Sequence, residues 1–282
     1  MAKAKTAFVC NDCGADFPKW QGQCGECHAW NTLSEIRLSG PASKSATGRS
    51  TGRSGYAGTT ASVQRLEEVA VVDLPRLRSG FDEFDRVLGG GFVPGSSILI
   101  GGHPGAGKST LLLQTLCRLA AQQPALYVTG EESPEQIALR ANRLGLPTDQ
   151  LQLMAETDVD AILASAEALK PRVLVVDSIQ VVHSETLTSA PGSVSQVRDC
   201  AAQLTRYAKQ TGTVLILVGH VTKDGSLAGP KVLEHMIDCS ILLEGDHDSR
   251  FRTLRGQKNR FGAVNELGIF AMTDAGMREV TN

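Results

Sequence analysis

The 282-residue sequence has no apolar run approaching the ~18 to 20 residues that a bilayer-spanning helix needs, which excludes a transmembrane helix. Its N-terminus, MAKAKTAFVC, has no long apolar stretch of the kind a secretory leader carries, and mean hydropathy is only −0.08. A soluble, cytoplasmic protein with no membrane partner is expected. There is no excess of charge of one sign either. Lys+Arg number 28 against 30 Asp+Glu, with a pI near 6.3, so a polyanion must be met locally rather than through a blanket positive field. Aromatics are scarce at 5%, and tryptophan occurs only at Trp20 and Trp30. The cysteines do not form a disulfide framework. Four of the seven fall in the first thirty residues as two CxxC pairs, which is a metal-binding pattern. Cys117, Cys200 and Cys239 stand singly among apolar residues and read as small buried hydrophobes, not as nucleophiles.

What is present divides into three parts. Residues 1–37 hold both CxxC pairs and both tryptophans. Residues 38–62 are, after Leu38, mainly Gly, Ser, Thr and Ala with Lys44, Arg49 and Arg53 interspersed and Tyr56 as the one large apolar side chain of 39–62, a composition that suits a flexible linker. From residue 63 to 282 the pattern becomes one of short, wholly apolar strands alternating with helical segments. The strands are Ile98–Gly101, Ala125–Thr129, Val173–Val176 and Val214–Val218, and the helices are Lys108–Ala121, Pro134–Arg143, Val159–Leu169 and Val194–Lys209. Alternation of this kind predicts an α/β fold with a mainly parallel sheet. Further strands are expected at Cys239–Leu243, Arg252–Leu254 and Gly268–Met272, the last two in hairpins.

Cys10-x2-Cys13 and Cys24-x2-Cys27 are separated by ten residues. Two such turns present four thiolates to a tetrahedral Zn2+, and about thirty residues carry too little core to fold without it. A compact zinc ribbon is therefore expected, with Phe17, Trp20 and Trp30 as its mini-core and an exposed, partner-binding aromatic as the alternative. His28, next to Cys27, reads as a surface residue with substitution for a cysteine ligand as the alternative.

The nucleotide signature is Gly102-His103-Pro104-Gly105-Ala106-Gly107-Lys108-Ser109-Thr110, placed between an apolar strand and a helix. It fits G-x-x-x-x-G-K-[ST], in which glycines let backbone N–H groups turn toward phosphate at a helix N-terminus. Lys108 is expected to reach the β- and γ-phosphates of ATP and Ser109 to ligate Mg2+, while the His103 side chain faces away. Asp177 closes the strand Val173–Val176 and brings a carboxylate to the same sheet edge, beside the Mg2+. Glu131 and Glu132 emerge together from the strand after the P-loop helix. Glu131 is the leading candidate to orient the attacking water. Glu132 is the second, or merely part of the helix start with Ser133 and Pro134. His220, after the strand Val214–Val218, reads either as a γ-phosphate sensor or as a structural histidine.

Together the CxxC pairs around WQGQC, the loop GGHPGAGKST, the segment YVTGEES, the run HVTKDGSLAGPKVLEH and Lys258-Asn-Arg260-Phe-Gly262 resemble the bacterial RadA (Sms) family of DNA repair proteins over the whole chain. The resemblance implies a RecA-like ATPase core behind a zinc ribbon. It also implies a homo-hexameric ring and a DNA-dependent ATPase and helicase that drives branch migration of recombination intermediates on single-stranded DNA. A nucleoid-associated location and a recombinase partner follow from the same likeness. It implies, too, a Lon-protease-like domain beyond Asn282, and His103 stands where the family would lead one to expect Asn.

Lys258 and Arg260 lie two residues apart, so an extended segment points both to one face. Such cations suit trans fingers on a neighbouring subunit's γ-phosphate, with direct contact to DNA phosphate as the alternative. For DNA itself the loops 180–193 and 222–231 are the candidates, the second carrying Lys223 and Lys231; neither holds an aromatic platform, so phosphate contacts are expected. Two other readings remain at this stage: a RecA-like signalling ATPase acting on proteins, and a zinc-dependent adaptor that recruits a recombinase.

Overall fold

Two short antiparallel pairings organise the N-terminal module. Strand β1 (Lys5–Cys10) lies between β2 (Asp16–Phe17) and β3 (Leu33–Leu38). The computed structural model describes residues 5–10, 15–26, 28–38, 65, 67, 75–221, 227–228, 231–245 and 249–280. The expected linker 38–62 and the thiols of Cys13 and Cys27 thus lie, apart from Leu38, outside the described residues. The two CxxC turns are built alike: the Cys10 amide donates to Ala15 O and the Cys24 amide to Ala29 O, each at 2.9 Å, across the same five-residue offset. Cys10 and Cys24 are fully buried, and Thr32 Oγ1 lies 3.2 Å from Cys10 Sγ. Such paired turns fit an S4 metal site formed with Cys13 and Cys27.

One expectation for this module is overturned. Trp20 and Trp30 are not a mini-core: they are 56% and 69% exposed. Both rings lie over Gly22, 3.9 and 3.7 Å from where a side chain there would begin, while half-buried Phe17 covers Gly25. The described residues buried in the module are Cys10, Cys24 and Leu33. A unit this small encloses Cys10 and Cys24 and, among the described residues, leaves no interior for an indole.

The rest of the chain is built on one nine-stranded sheet. In chain order its elements are α1 (Asp82–Leu88), β4 (Ser97–Gly102), α2 (Lys108–Ala120), β5 (Ala125–Thr129), α3 (Pro134–Arg143), β6 (Gln152–Ala155), α4 (Val159–Leu169), β7 (Val173–Asp177), α5 (Val194–Thr211) and β8 (Val214–Val218). There follow β9 (His220–Val221), β10 (Leu227–Ala228), α6 (Lys231–Met236), β11 (Cys239–Glu244), β12 (Phe251–Asn259), β13 (Leu267–Thr273) and β14 (Gly276–Glu279), with β9 and β10 paired apart from the main sheet. The sheet order is β14-β13-β12-β11-β4-β8-β7-β5-β6. From β11 to β6 every pairing is parallel; β12, β13 and β14 form an antiparallel meander on the β11 edge.

Strands apolar on both faces need cover on both sides, and the alternation of side chains supplies two cores. Ile98, Ile100, Tyr127, Val175 and Ile216 face one layer with Phe84 of α1, Leu112 of α2 and Ile137 of α3. Leu99, Val128, Val176 and Leu217 face the other with Ile162 of α4, Leu204 of α5 and Met236 of α6. The predicted strands and helices fall within a few residues of the observed ones. Sequence reasoning missed α1, whose seven residues are mostly charged, and β6, a half-exposed edge strand with no apolar run. It also shortened β12, which runs for nine residues because alternating Arg252, Leu254 and Gly256 are buried while Phe251, Arg255 and Gln257 face out.

Because Cys24 is fully buried within the ribbon, Cys24→Ser is expected to lower bound zinc from about one per chain to near zero. It should unfold the ribbon and leave the melting of the α/β body in place. Zinc analysis of the purified variant checks this, and an unchanged zinc content would refute the four-thiolate site.

Candidate functional site

Four neighbouring parallel strands end side by side, and their following residues form the site. The register pairs Ile100 with Val218, Val176 with Leu217 and Thr129 with Asp177. The P-loop after β4, His220 after β8, Asp177 and Ser178 at the end of β7, and Glu131 after β5 therefore share the carboxyl edge of the sheet, where ligands of open α/β sheets bind.

The P-loop is shaped for an anion. Helices α3, α4 and α5 each close their N-terminus with a side chain: Ser133 with a reciprocal Gln136, Asp158, and Ser193. Helix α2 starts at Gly107 with no side-chain cap and no acid in its first turn, so its leading N–H groups stay available at the positive end of the helix dipole. Gly107 has φ +103°, and a Cβ there would stand 2.5 Å from the methyls of both Met272 and Met277. Lys108 is buried, its Nζ donating to Gly102 O at 2.7 Å and His103 O at 3.1 Å. Burial pushes its pKa down, against the opposing pull of Asp177 and Glu131. His103, Pro104 and Gly105 are exposed, Ala106 is buried, and Ser109 and Thr110 are half-buried on the first turn of α2.

Two residues that sequence reasoning passed over tie this loop to the rest. Tyr127, fully buried on β5, donates its hydroxyl to Asp177 Oδ2 at 2.5 Å and is hydrogen-bonded to the Ser109 side chain. It links the P-loop hydroxyl to the carboxylate at the end of β7. Burial and the Asp177 charge push its pKa well above that of a free phenol, so it remains a donor. The signal was a tyrosine inside an otherwise aliphatic buried strand, whose hydroxyl must find a partner. Arg252, buried on β12, donates Nε to Ala106 O at 3.1 Å and Nη1 to the carbonyls of Phe251 and Ser249. Sequence carries no motif for it, because it reaches the loop from across the meander.

The adjacent carboxylates take separate directions. Glu131 Oε1 accepts a bond from Ser178 Oγ, itself fully buried, and lies 3.2 Å from His220 Nε2. Burial works to raise its pKa, but Ser178, His220 and the Lys108 charge outweigh it and hold the carboxyl below its usual range. His220 Nδ1 is buried without a partner among the described residues. Glu132 turns to α3: it pairs with Arg140 Nη2 at 2.5 Å, and its backbone is tied to Thr129 Oγ1. A carboxylate kept ionised at the mouth of a phosphate loop, and braced from two strands, is suited to orient water.

Lys258 and Arg260 lie elsewhere. Lys258 Nζ donates to Ile237 O at 2.7 Å and to Glu234 O, and Arg260 Nη1 donates to Asp238 Oδ1 at 3.1 Å. Asp238 also binds the Ser97 amide at the start of β4, so Arg260 sits at the amino edge of the sheet. Six residues of β4 separate it from the P-loop, roughly 17 Å at strand rise. The remaining motif residues anchor the segment. Asn259 Nδ2 donates to Val87 O and its Oδ1 accepts from the Phe261 amide, Arg76 Nη2 donates to Phe261 O, and the spot where a Gly262 Cβ would begin is 3.0 Å from Gly89 Cα.

Of the two loops expected near DNA, 180–193 is held by Gln196 of α5. Its side chain bonds Ser184 N and the carbonyls of Ser184, Leu187 and Ser189. Most of 222–231, including Lys223, lies outside the described residues.

The AAA domain family matches residues 62–226, and the rubredoxin metal binding domain family matches residues 8–35. Among curated proteins, the chain is 64% identical over 285 residues to DNA repair protein RadA of Escherichia coli K12. It is 65% identical over 284 residues to that of Haemophilus influenzae and 46% identical over 287 residues to that of Bacillus subtilis. Each alignment covers 100% of this chain and 61% of the relative.

Since a guanidinium bond to a carbonyl contributes about 1.5–3 kcal/mol, Arg252→Gln is expected to weaken binding of a fluorescent ATP analogue by about tenfold. Its far-UV circular dichroism should be unchanged. Wild-type affinity would mean that the meander packs behind the loop without fixing it.

Proposed function

Because the chain belongs to the AAA domain family and is similar along its whole length to bacterial DNA repair proteins RadA, we propose that it hydrolyses ATP as a ring-forming motor on single-stranded DNA, driving branch migration of recombination intermediates. The observation that carries this reading is the opposition of the two sheet edges. Lys108, Asp177, Glu131 and His220 converge at the carboxyl edge, whereas Arg260 stands at the amino edge. No arginine side chain spans that gap, so Arg260 serves the phosphate of a second copy, as in a hexamer.

ATP with Mg2+ supplies the phosphoanhydride and the charge that neutralises its oxygens. In this chain, residues 102–110 hold the phosphates through backbone amides, and Lys108 leaves its carbonyl partners for the β- and γ-oxygens. Ser109 and Asp177, already joined through Tyr127, form the metal side. Glu131 orients the water, with Ser178 and His220 fixing its carboxylate. His220, bonded to Glu131 on one nitrogen, reports the γ-phosphate to the β9–β10 segment and the loop beyond it. Glu132 braces α3. Cys10, Cys13, Cys24 and Cys27 hold Zn2+ in a ribbon whose exposed tryptophans leave it open to a recombinase partner. DNA contacts fall to loops 180–193 and 222–231.

Three outcomes test the assignment. Glu131→Gln should bind ATP and hydrolyse it at least about 100-fold more slowly, while Glu132→Gln keeps turnover within about threefold; the reverse pattern would exchange the two roles. Single-stranded DNA should stimulate the wild-type rate, and log affinity for DNA should fall linearly with log salt. Lys108→Ala and Arg260→Ala, each expected to lose most of the DNA-stimulated rate alone, should regain part of it when mixed. An intact P-loop then meets an intact finger at some interfaces. Absence of recovery in co-assembled mixtures would refute the trans arrangement.

A further inference from the structure

Arg260 does not hang free at the amino edge, and we propose that Asp238 is a positioning residue that presents the Arg260 guanidinium to the phosphate of a second copy. The inference rests on the reading of Arg260 as a trans finger.

Asp238 is 2% exposed and is fixed to the start of β4 in both directions. Its amide donates to Ser97 O at 2.8 Å, and its Oδ2 accepts the Ser97 amide at 3.0 Å. It grips Arg260 twice as well: the Arg260 amide donates to Asp238 O at 3.0 Å, and Nη1 donates to Oδ1 at 3.1 Å. The Arg260 side chain is nevertheless 53% exposed. Among the described residues only its Nη1 is engaged, which leaves the other edge of the guanidinium fork for a phosphate.

Charge decides whether this grip presents the arginine or neutralises it. Lys209 of α5 binds the same carboxylate, with Nζ 2.9 Å from Oδ2 and 3.1 Å from Oδ1. One carboxylate facing two cations leaves a net positive charge, and the exposed member, Arg260, carries it to the surface; Lys209 is 21% exposed. Asp238 thus holds the finger's direction while Lys209 offsets the carboxylate, so that the cluster as a whole keeps a net positive charge. The anchoring of Asn259, Phe261 and Gly262 on α1 and its following turn fixes the backbone on either side. A finger on so rigid a base pays little ordering entropy when the phosphate arrives.

The test compares the wild-type chain, Arg260→Ala, Asp238→Asn and the double variant, measuring ATP-analogue binding and the DNA-stimulated rate. Asp238→Asn is expected to bind nucleotide within about twofold of wild type and to lose about tenfold or more in rate. The double variant should be no slower than Arg260→Ala. A merely structural role would instead slow the Arg260→Ala background further. Should Asp238→Asn fail to fold, Arg260→Lys carries the test: lysine keeps the charge but has no planar fork to hold Asp238 on one edge and a phosphate on the other, so its rate should fall to near that of Arg260→Ala. A wild-type rate in Arg260→Ala would overturn the finger reading, and this inference with it. A slowed Arg260→Ala beside a wild-type or faster Asp238→Asn, or a wild-type rate in Arg260→Lys, would overturn the inference alone.

Discussion

The in-register parallel pairing of β4, β8, β7 and β5 is the constraint on which the rest depends. Each strand is five or six residues long and buried on both faces. A slip of one residue would turn Ile98 and Ile100 into the layer meant for Leu99 and invert both cores. The hydrophobic pattern therefore fixes the register, and the register fixes which residues reach the carboxyl edge. The P-loop, Glu131, Asp177 and His220 come together because of where their strands end, not because of any affinity between them. Their short-range links, Tyr127 to Asp177 and Ser178 to Glu131, adjust a placement that apolar burial has already made.

That division explains what could be read from the sequence. The apolar strands and the glycine-rich loop carry local signals, a run of buried β-branched and aliphatic residues and a spacing of glycines, so their type and position were legible. The shared edge followed from parallel topology. The adjacent glutamates were not separable in the same way. What distinguishes them is that Glu132 meets Arg140 eight positions along, at the next turn of α3, whereas Glu131 meets Ser178 and His220 from strands 47 and 89 residues away. Arg252 and Asp238 were invisible for the same reason. Each is a buried charge whose partners come from distant segments, and no local spacing announces such a contact.

The ribbon shows the opposite error. Tryptophan is usually well buried, and a sequence with only two invites the reading that both are core. Burying an indole needs a surrounding shell, and the described interior of this module of some thirty residues is taken up by Cys10, Cys24 and Leu33. Gly22 gives the two rings a flat surface to lie over, with apolar contact on one face and solvent on the other. Cysteine spacing was informative here because it reports covalent geometry, which a small fold cannot override; residue hydrophobicity was not, because burial depends on how much chain is available to do it.

The sheet is also polar in the sense that its two ends do different work. At the carboxyl edge, polar groups are left partly unsatisfied: Lys108 rests on carbonyls, and His220 Nδ1 has no partner among the described residues. At the amino edge the buried carboxylate of Asp238 is saturated by an amide and two cations. Removing one partner from a buried ion pair typically destabilises by about 3–5 kcal/mol, so the amino-edge cluster is held in one arrangement, whereas the carboxyl edge keeps groups that gain partners only when an anion arrives. Strand β12 runs between these regimes, with Arg252 on the chain's own P-loop at one end and Arg260 just beyond the other. A ring built head to tail would set the rigid end of each copy against the unsatisfied end of the next. That order suits an enzyme in which one partner must be preorganised and the other must respond.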